Sequence, residues 1–129
     1  MRELYFDHAA ATPVDPRVIR VVARAMRVAG NPSAFNDAGR RARTLLEHAR
    51  ASIARFLCAH SSEIVFCASG SEANALAILG VEALRGHMVT TPIEHQSVLE
   101  SVKILKRRGW SVTVLSVNEE GRVDPESVS

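Results

Sequence analysis

The chain has 129 residues, 47% of them hydrophobic, and a formal net charge of +2. This provides enough material for one globular, soluble domain with a hydrophobic core. No apolar run approaches the ~20 residues of a membrane span, and so small a net charge gives no argument for direct nucleic-acid binding. Because the first residues lack the apolar region of a signal peptide, we expect a cytoplasmic protein.

The two cysteines carry no sign of a binding site. Cys58 and Cys67 have neither the spacing of a zinc motif nor neighbouring His or Cys residues, so we predict no metal site and no disulfide framework. Each ends an apolar run, where a free cysteine usually behaves as a small hydrophobic residue. We therefore expect both to be structural.

Helices are predicted before any strand. Apolar residues with the 3.6-residue period predict a helix over 16–29, begun by Asp15 as its cap. A polar stretch over 31–39 separates it from a longer amphipathic helix over 42–57. We assign residues 1–62 to an N-terminal arm of helices.

The pattern changes at residue 63, where short runs rich in β-branched residues begin to alternate with helical ones. The predicted order is strand 63–67, helix 71–85, strand 87–91, helix 95–108 and strand 111–117. Such β-α-β-α-β alternation predicts an α/β fold with parallel strands joined by right-handed crossovers. We expect the apolar helix over 71–85 to be buried, with another domain or subunit as a candidate cover, and we assign residues 63–129 to an incomplete larger domain.

Two predicted loops carry candidate chemistry. In EIVFCASGSEANALAILG a strand-like run leads through a Ser/Gly turn to a helix that opens with Ser71 and Glu72, and backbone N–H groups at a helix start can bind a phosphate. TTPIEHQSVL places His95 in the next such loop, on the same edge of the sheet. The alternatives are an ordinary helix cap and a surface histidine.

The last residues predict another helix. Asp124 is placed as a cap and Pro125 at the first helical position. Few residues follow them in the sequence. We therefore expect the polypeptide to be the front of a longer protein, or the product of a gene cut short.

Several separated segments together resemble a known family. YFDHAAATPVDPRV, GNPSA, EIVFCASGSEANALAILG and TTPIEHQSVL closely resemble, in order and spacing, the N-terminal third of the cysteine desulfurases, a class V group of pyridoxal 5'-phosphate (PLP) enzymes. The resemblance implies the PLP-dependent transferase type I fold, present as a helical arm and the first half of the large domain. It also implies a homodimer that converts L-cysteine to L-alanine and passes the sulfur, as a persulfide, to an acceptor protein for iron–sulfur cluster assembly or tRNA thiolation.

The resemblance assigns roles to residues of this chain. Gly70 and Ser71 match positions that bind the cofactor phosphate, and His95 matches the histidine that stacks on the pyridine ring and takes part in proton transfers. Asn31 and the turn over 9–12 match loops on the substrate side. The family usually reads TSGGTEANN where this chain has CASGSEANA, so Ser69 replaces a glycine. We expect weaker cofactor binding if that glycine permits backbone angles, or an approach to phosphate, that a side chain hinders.

The resemblance also identifies what residues 1–129 lack. The family's Schiff-base lysine, pyridine-pairing aspartate, sulfur-accepting cysteine and substrate-binding arginine match nothing here, and the two lysines, Lys103 and Lys106, fall on a polar helix face. We therefore expect this polypeptide alone to be inactive. Three alternatives stay open: another class V enzyme, such as a selenocysteine lyase or an aminotransferase-like member; a non-catalytic truncated remnant; and a Rossmann-like nucleotide binder, although the loop lacks GxGxxG.

Overall fold

The computed structural model describes residues 4–81 and 85–128. They form two compact units, and the boundary in the sequence lies between Val65 and Phe66. The functional division of the chain after residue 62 stays a prediction. None of the helices in the described ranges is long and apolar enough to cross a membrane.

The first helix of the N-terminal unit, α1, spans Pro16–Ala25. The side chain of Asp15 caps it by accepting a hydrogen bond from the amide of Arg17 at 2.7 Å, as predicted. The predicted end at residue 29 is wrong, because the backbone tightens after Ala25. There the amide of Val28 bonds to the carbonyl of Ala25, three residues back, which is the pattern of a closing 3-10 turn.

The second helix, α2, spans Asp37–Phe56 and begins earlier than predicted. The side chain of Asn36 accepts a hydrogen bond from the amide of Gly39 at 2.8 Å, so the cap lies inside the stretch that we predicted to be a polar connection. The first turn is polar, and the apolar period therefore does not reveal it. Ala42 and Ala54 on this helix are the buried hydrophobic residues of the unit.

The expectation that both cysteines are structural, apolar residues is wrong for Cys58. This residue is exposed and has a φ of +54°. It follows Leu57, the C-terminal cap of α2, and therefore occupies the left-handed position that often ends a helix.

The predicted strand over 63–67 is not a strand. Glu63 belongs to the 3-10 turn Ser61–Glu63, and its carboxylate accepts a hydrogen bond from the amide of His60 at 2.7 Å. The carbonyl of Ile64 accepts a hydrogen bond from the Arg50 guanidinium at 2.5 Å. No strand is assigned over 64–67 among the described residues, and the described sheet joins two later strands.

The C-terminal unit contains the α/β part of the chain. Its elements are α3 (Gly70–Leu79), β1 (His87–Thr90), α4 (Gln96–Arg107) and β2 (Ser111–Val114). The two strands are parallel, in a register that pairs His87 with Ser111 and Thr90 with Val114. The β-α-β order and the parallel direction agree with the sequence prediction, with two strands in place of three. Val102 and Leu105 of α4 form the buried hydrophobic core of this unit.

Element ends in this unit are set by local chemistry. Gly80 is the C-terminal cap of α3, and Val81 and Arg85 are not helical, so the predicted helix end at residue 85 is wrong; residues 82–84 lie outside the described residues. Gly109, with a φ of +89°, follows α4 as predicted. The predicted helix after Asp124 is the 3-10 turn Pro125–Val128, whose first turn is capped by the Asp124 carboxylate through the amide of Glu126 at 3.0 Å.

No residue of α3 is buried within the described part of this chain, and the side chain of Leu76 is half exposed. The expected burial of this helix against another domain or subunit stays a prediction. Helix α3 packs against α4, while its other apolar surfaces face outward.

Candidate functional site

The start of α3 is closed by a reciprocal cap. Ser69 has an extended backbone, and its hydroxyl accepts a hydrogen bond from the amide of Glu72 at 3.2 Å. The Glu72 carboxylate in turn accepts a hydrogen bond from the amide of Ala68 at 2.6 Å. Ser69 is therefore the cap, and Ser71 lies within the first turn rather than at the opening of the helix. Because the backbone at Ser69 is one that any residue adopts, the backbone angles give no reason for weaker cofactor binding, whereas hindrance of the phosphate by the Ser69 side chain stays a prediction.

The cap leaves two backbone donors at this end of the helix. In the part of the chain that the structure describes, the amides of Gly70 and Ser71 donate to no protein acceptor, and both residues are exposed. A Cβ added at Gly70 would meet no atom within 4 Å. Two N–H groups with open space beside them, at the positive end of a ten-residue helix, fit the phosphate of PLP.

His95 caps the start of α4, in the loop that follows the carboxyl end of β1. Its Nδ1 accepts a hydrogen bond from the amide of Ser97 at 3.1 Å and lies 2.8 Å from the Oγ of the same serine. An amide can only donate, so Nδ1 presents its lone pair, and the hydrogen of the neutral ring is assigned to Nε2. The ring is exposed, with Nε2 as its available donor.

The starts of α3 and α4 are joined by one hydrogen bond. The amide of the Asn74 side chain donates to the Oγ of Ser97 at 2.9 Å, and both residues are half-buried. Asn74 lies one turn after Ser71 on α3, and Ser97 lies in the first turn of α4. Gly70, Ser71 and His95 are therefore on the starts of two helices that pack together in one unit.

Asn31, the predicted substrate-side residue, belongs to the N-terminal unit. Its side-chain oxygen accepts a hydrogen bond from the amide of Ser33 at 2.9 Å, and its carbonyl accepts one from the amide of Ala34 at 2.9 Å. Asn31 thus shapes the turn that leads to α2. The structure brings Gly70, Ser71 and His95 into one unit and describes Asn31 in the other.

Sequence reasoning missed Asn74 and Ser97. Two signals were available: Asn74 follows Ser71 at the three-residue spacing that shares one helix face, and Ser97 stands two residues after His95. The pairing of the two residues across helices depends on how α3 packs against α4, which the sequence pattern does not contain.

Neither lysine is placed at the helix starts. The Lys103 ammonium lies 2.7 Å from the Glu100 carboxylate, and the Lys103 side chain is 63% exposed. The hydrogen bond from Lys103 lowers the pKa of Glu100. Lys106 is exposed in the last turn of α4, roughly 17 Å along the helix from His95 at ~1.5 Å per residue. Among residues 4–81 and 85–128, no group of three or more His, Cys, Asp or Glu side chains could hold a metal ion.

Comparison with known proteins identifies the class and then the family. The C-terminal unit is α/β, with a parallel sheet and a helix start suited to phosphate, and the family model "Aminotransferase class-V" matches residues 4–129. The chain belongs to the class V aminotransferase family.

Its relatives and structural neighbours include cysteine desulfurases. The chain is 39% identical over 132 aligned residues to "Cysteine desulfurase IscS" of Dictyoglomus turgidum, an alignment that covers 98% of this chain and 34% of the relative. It is similar to the solved structure "SspA in complex with cysteine", with a TM-score of 0.85, 37% identity and coverage of 96% of this chain and 37% of that one. DndA from Streptomyces lividans gives a TM-score of 0.78 at 35% identity, covering 97% of this chain and 37% of DndA. The chain thus spans about a third of the length of these proteins.

These similarities confirm the predicted fold class. The chain has the α/β fold of the PLP-dependent transferases of type I, represented by its helical arm and the first part of the large domain. They also confirm the resemblance to the N-terminal part of the cysteine desulfurases. The Rossmann-like alternative is not supported, since the family model covers the phosphate-type loop together with the rest of the chain.

Proposed function

We propose that residues 1–129 form the N-terminal third of a PLP-dependent cysteine desulfurase. The observation that carries the proposal is the pair of available amides at Gly70 and Ser71 on a helix that is hydrogen-bonded to the helix capped by His95. The two amides suit a phosphate dianion, and the imidazole of His95 suits stacking on an aromatic ring. The similarity to proteins named cysteine desulfurase supports this assignment.

In this proposal the first turn of α3 binds the cofactor phosphate. The amides of Gly70 and Ser71 and the hydroxyl of Ser71 would donate to it, and Glu72 is turned back to the amide of Ala68, which directs its charge toward a donor. PLP supplies an electron sink that stabilises a carbanion at the bound amino acid.

His95 would lie against the pyridine ring and take part in proton transfers. Nε2–H of the neutral ring would donate a hydrogen bond in the site, while Nδ1 is occupied by Ser97, and a proton would be given up from the imidazolium form. Acid–base help from a positioned histidine typically contributes ~10²–10⁴ in rate. Asn31 would lie on the substrate side.

The proposed reaction converts L-cysteine and an enzyme thiol to L-alanine and an enzyme persulfide. The sulfur–carbon bond of cysteine breaks, a sulfur–sulfur bond forms on the thiol, and the thiol proton balances the hydrogen gained by alanine. A sulfur-acceptor protein would then receive the sulfur for iron–sulfur cluster assembly or tRNA thiolation. We further propose a homodimer that acts in the cytoplasm.

The lysine that binds PLP and the thiol that accepts sulfur would come from sequence outside residues 1–129. Lys103 and Lys106 face solvent on α4, and an exposed ammonium is charged and therefore a weak nucleophile. Two alternatives share the same cofactor cradle: another class V enzyme, such as a selenocysteine lyase or an aminotransferase-like member, and a non-catalytic remnant.

A chimera tests this function. Residues 1–129 would be joined to the matching remainder of the Dictyoglomus turgidum relative, with that relative's own N-terminal third as the positive control. We expect the chimera to bind PLP and to form alanine from L-cysteine. A chimera that folds as a dimer but binds no PLP would favour the non-catalytic remnant. One that binds PLP and prefers selenocysteine, or an amino acid with a 2-oxo acid, over L-cysteine would favour the other class V enzymes.

A further inference from the structure

The hydrogen-bonded series Asn74–Ser97–His95 has no role in the function described so far. We propose that Asn74 and Ser97 are positioning residues that hold the His95 ring in one orientation, with its hydrogen on Nε2. The proposal deepens the proposed function, since it concerns how the cofactor-side histidine is presented. Its geometric part stands on this chain alone.

The hydrogen bonds of the series run in one direction, from the donor Asn74 through the Ser97 hydroxyl to Nδ1 of His95. The Asn74 side-chain NH₂ donates to Ser97 Oγ at 2.9 Å, which uses a lone pair of the hydroxyl and leaves its hydrogen free. That hydrogen can point to Nδ1 of His95 at 2.8 Å. The amide of Ser97 donates to the same nitrogen at 3.1 Å. Two donors converge on Nδ1, so the neutral ring must carry its hydrogen on Nε2.

The series is anchored in the packed part of the unit. Ser101, which is only 3% exposed, donates its hydroxyl to the carbonyl of Ser97 at 2.8 Å and so ties the first turn of α4 to the buried side of the helix. Asn74 is half-buried on α3. His95 itself is exposed, and its orientation therefore depends on these bonds rather than on apolar packing.

This arrangement links the two ends of the proposed cofactor site. Helix α3 carries both Gly70 and Ser71, which would bind phosphate, and Asn74, which orients the serine that holds His95. A shift of α3 would change the ring orientation and the phosphate position together. Pre-orientation of reacting groups lowers the entropic cost of reaching the transition state.

Nitrogen NMR of the uniformly ¹⁵N-labelled chain of 129 residues, at low protein concentration, tests the proposal directly. Spectra in alkaline buffer, where imidazole side chains are neutral, report which ring nitrogen carries hydrogen, and His95→Gln assigns the signals. We expect a pyridine-type Nδ1, a pyrrole-type Nε2 and a coupling through the hydrogen bond from the Ser97 amide to Nδ1. A protonated Nδ1 in the unaltered chain would overturn the proposal without any variant.

Variants then separate positioning from folding. Asn74→Asp keeps the shape but turns a donor into an acceptor, so the Ser97 hydroxyl should turn away from Nδ1. We expect the ratio of the Nε2–H to the Nδ1–H form to fall about 2- to 10-fold, with a similar fall in Ser97→Ala. Ser97→Thr, which keeps the hydroxyl, should restore the unaltered ratio, and Gln96→Ala, which removes only the neighbouring bond to Glu100, should leave it unchanged.

Equal His95 spectra in Asn74→Asp, Ser97→Ala and Gln96→Ala would contradict the proposal. If a variant fails to fold, which the signals of the other histidines would reveal, the coupling in the unaltered chain still decides. In the chimera, Asn74→Asp should lower kcat about 2- to 10-fold with little change in KM. If Asn74→Asp lowered kcat without changing the His95 spectrum, the positioning role would be refuted and the proposed function would not. If the chimera were inactive but gave the expected spectra, the proposed function would be refuted and the positioning role would not.

Discussion

Asn74 donates a hydrogen bond from its side chain to the hydroxyl of Ser97 across 2.9 Å, and this bond joins the second turn of α3 to the first turn of α4. The same serine hydroxyl lies within hydrogen-bond distance of Nδ1 of His95, so the bond from Asn74 also affects the His95 ring. The candidate phosphate site and the candidate catalytic ring therefore lie on two helices that this bond joins.

Alanine substitutions at Ser69 and Ser71 should have different effects on stability, although only one residue separates the two serines. Ser69→Ala removes the cap of α3 and should lower the free energy of unfolding by about 1 kcal/mol, because the Glu72 amide loses its acceptor. Ser71→Ala removes a hydroxyl with no protein partner among the described residues and should change stability by less than about 0.5 kcal/mol. Urea denaturation at one low protein concentration measures both. Equal losses would show that the helix start has been assigned wrongly.

Gly39 should tolerate no side chain. A Cβ there would overlap the backbone carbonyl oxygens of Ala34 and Asn31, which form the turn before α2. Gly39→Ala should therefore cost about 1–3 kcal/mol of stability, as measured by the urea midpoint. Gly70→Ala is the matched control, since its Cβ would project into open space, and it should be nearly neutral. If Gly39→Ala matched this control, the turn around Asn31 would not have the described geometry.

The sequence predicts α4 well, because residues that cap or terminate a helix stand at both of its ends. Helix α4 has apolar residues at helical spacing, a cap at His95 and Gly109 after its last turn, and its predicted bounds are correct to within a residue. The segment over 63–67 has the composition of a strand, yet it begins in a 3-10 turn, and the Arg50 side chain donates to the carbonyl of Ile64. Composition indicates which residues suit a strand, whereas the contacts that a segment makes are set by tertiary packing.

The 129-residue chain should form no stoichiometric covalent adduct with PLP. Lys103 is paired with Glu100 and Lys106 is exposed, so neither ammonium is desolvated in a way that would make it nucleophilic. The chain would be incubated with PLP and reduced with borohydride, and pyridoxyl-lysine would be mapped by mass spectrometry. Complete labelling of a single lysine would contradict this expectation, and a Lys103→Arg, Lys106→Arg variant controls for labelling of other amines.

The chain alone should also be marginally stable and self-associate. A two-stranded sheet has edges that can pair with another chain. Exposed apolar residues add to this tendency, including Val18, Ile19, Val21 and Val22 on α1. Sedimentation velocity across a range of concentrations should show species that grow with concentration. A single monomer with a sharp, cooperative thermal transition would show that the described core suffices.

The sequence indicates which residues belong to the candidate site, but not which hydrogen bonds they form. Gly70, Ser71 and His95 stand out because helix starts and loop histidines leave local signals. The directions of the bonds could not be predicted, since Ser69 rather than Ser71 caps the helix and the ring nitrogen facing Ser97 is set by packing between α3 and α4.

The most direct test of the central claim compares Ser71→Ala and His95→Ala in the chimera of residues 1–129 with the remainder of a desulfurase. Ser71→Ala removes one hydrogen bond to a charged group, and PLP should dissociate about ten- to a hundredfold more readily. His95→Ala should retain most of its PLP and lose about 10²–10⁴ in turnover. Equilibrium dialysis against PLP and sulfide release from L-cysteine separate the two effects. If His95→Ala kept full turnover at saturating PLP, or Ser71→Ala kept full affinity, the site proposed here would be wrong.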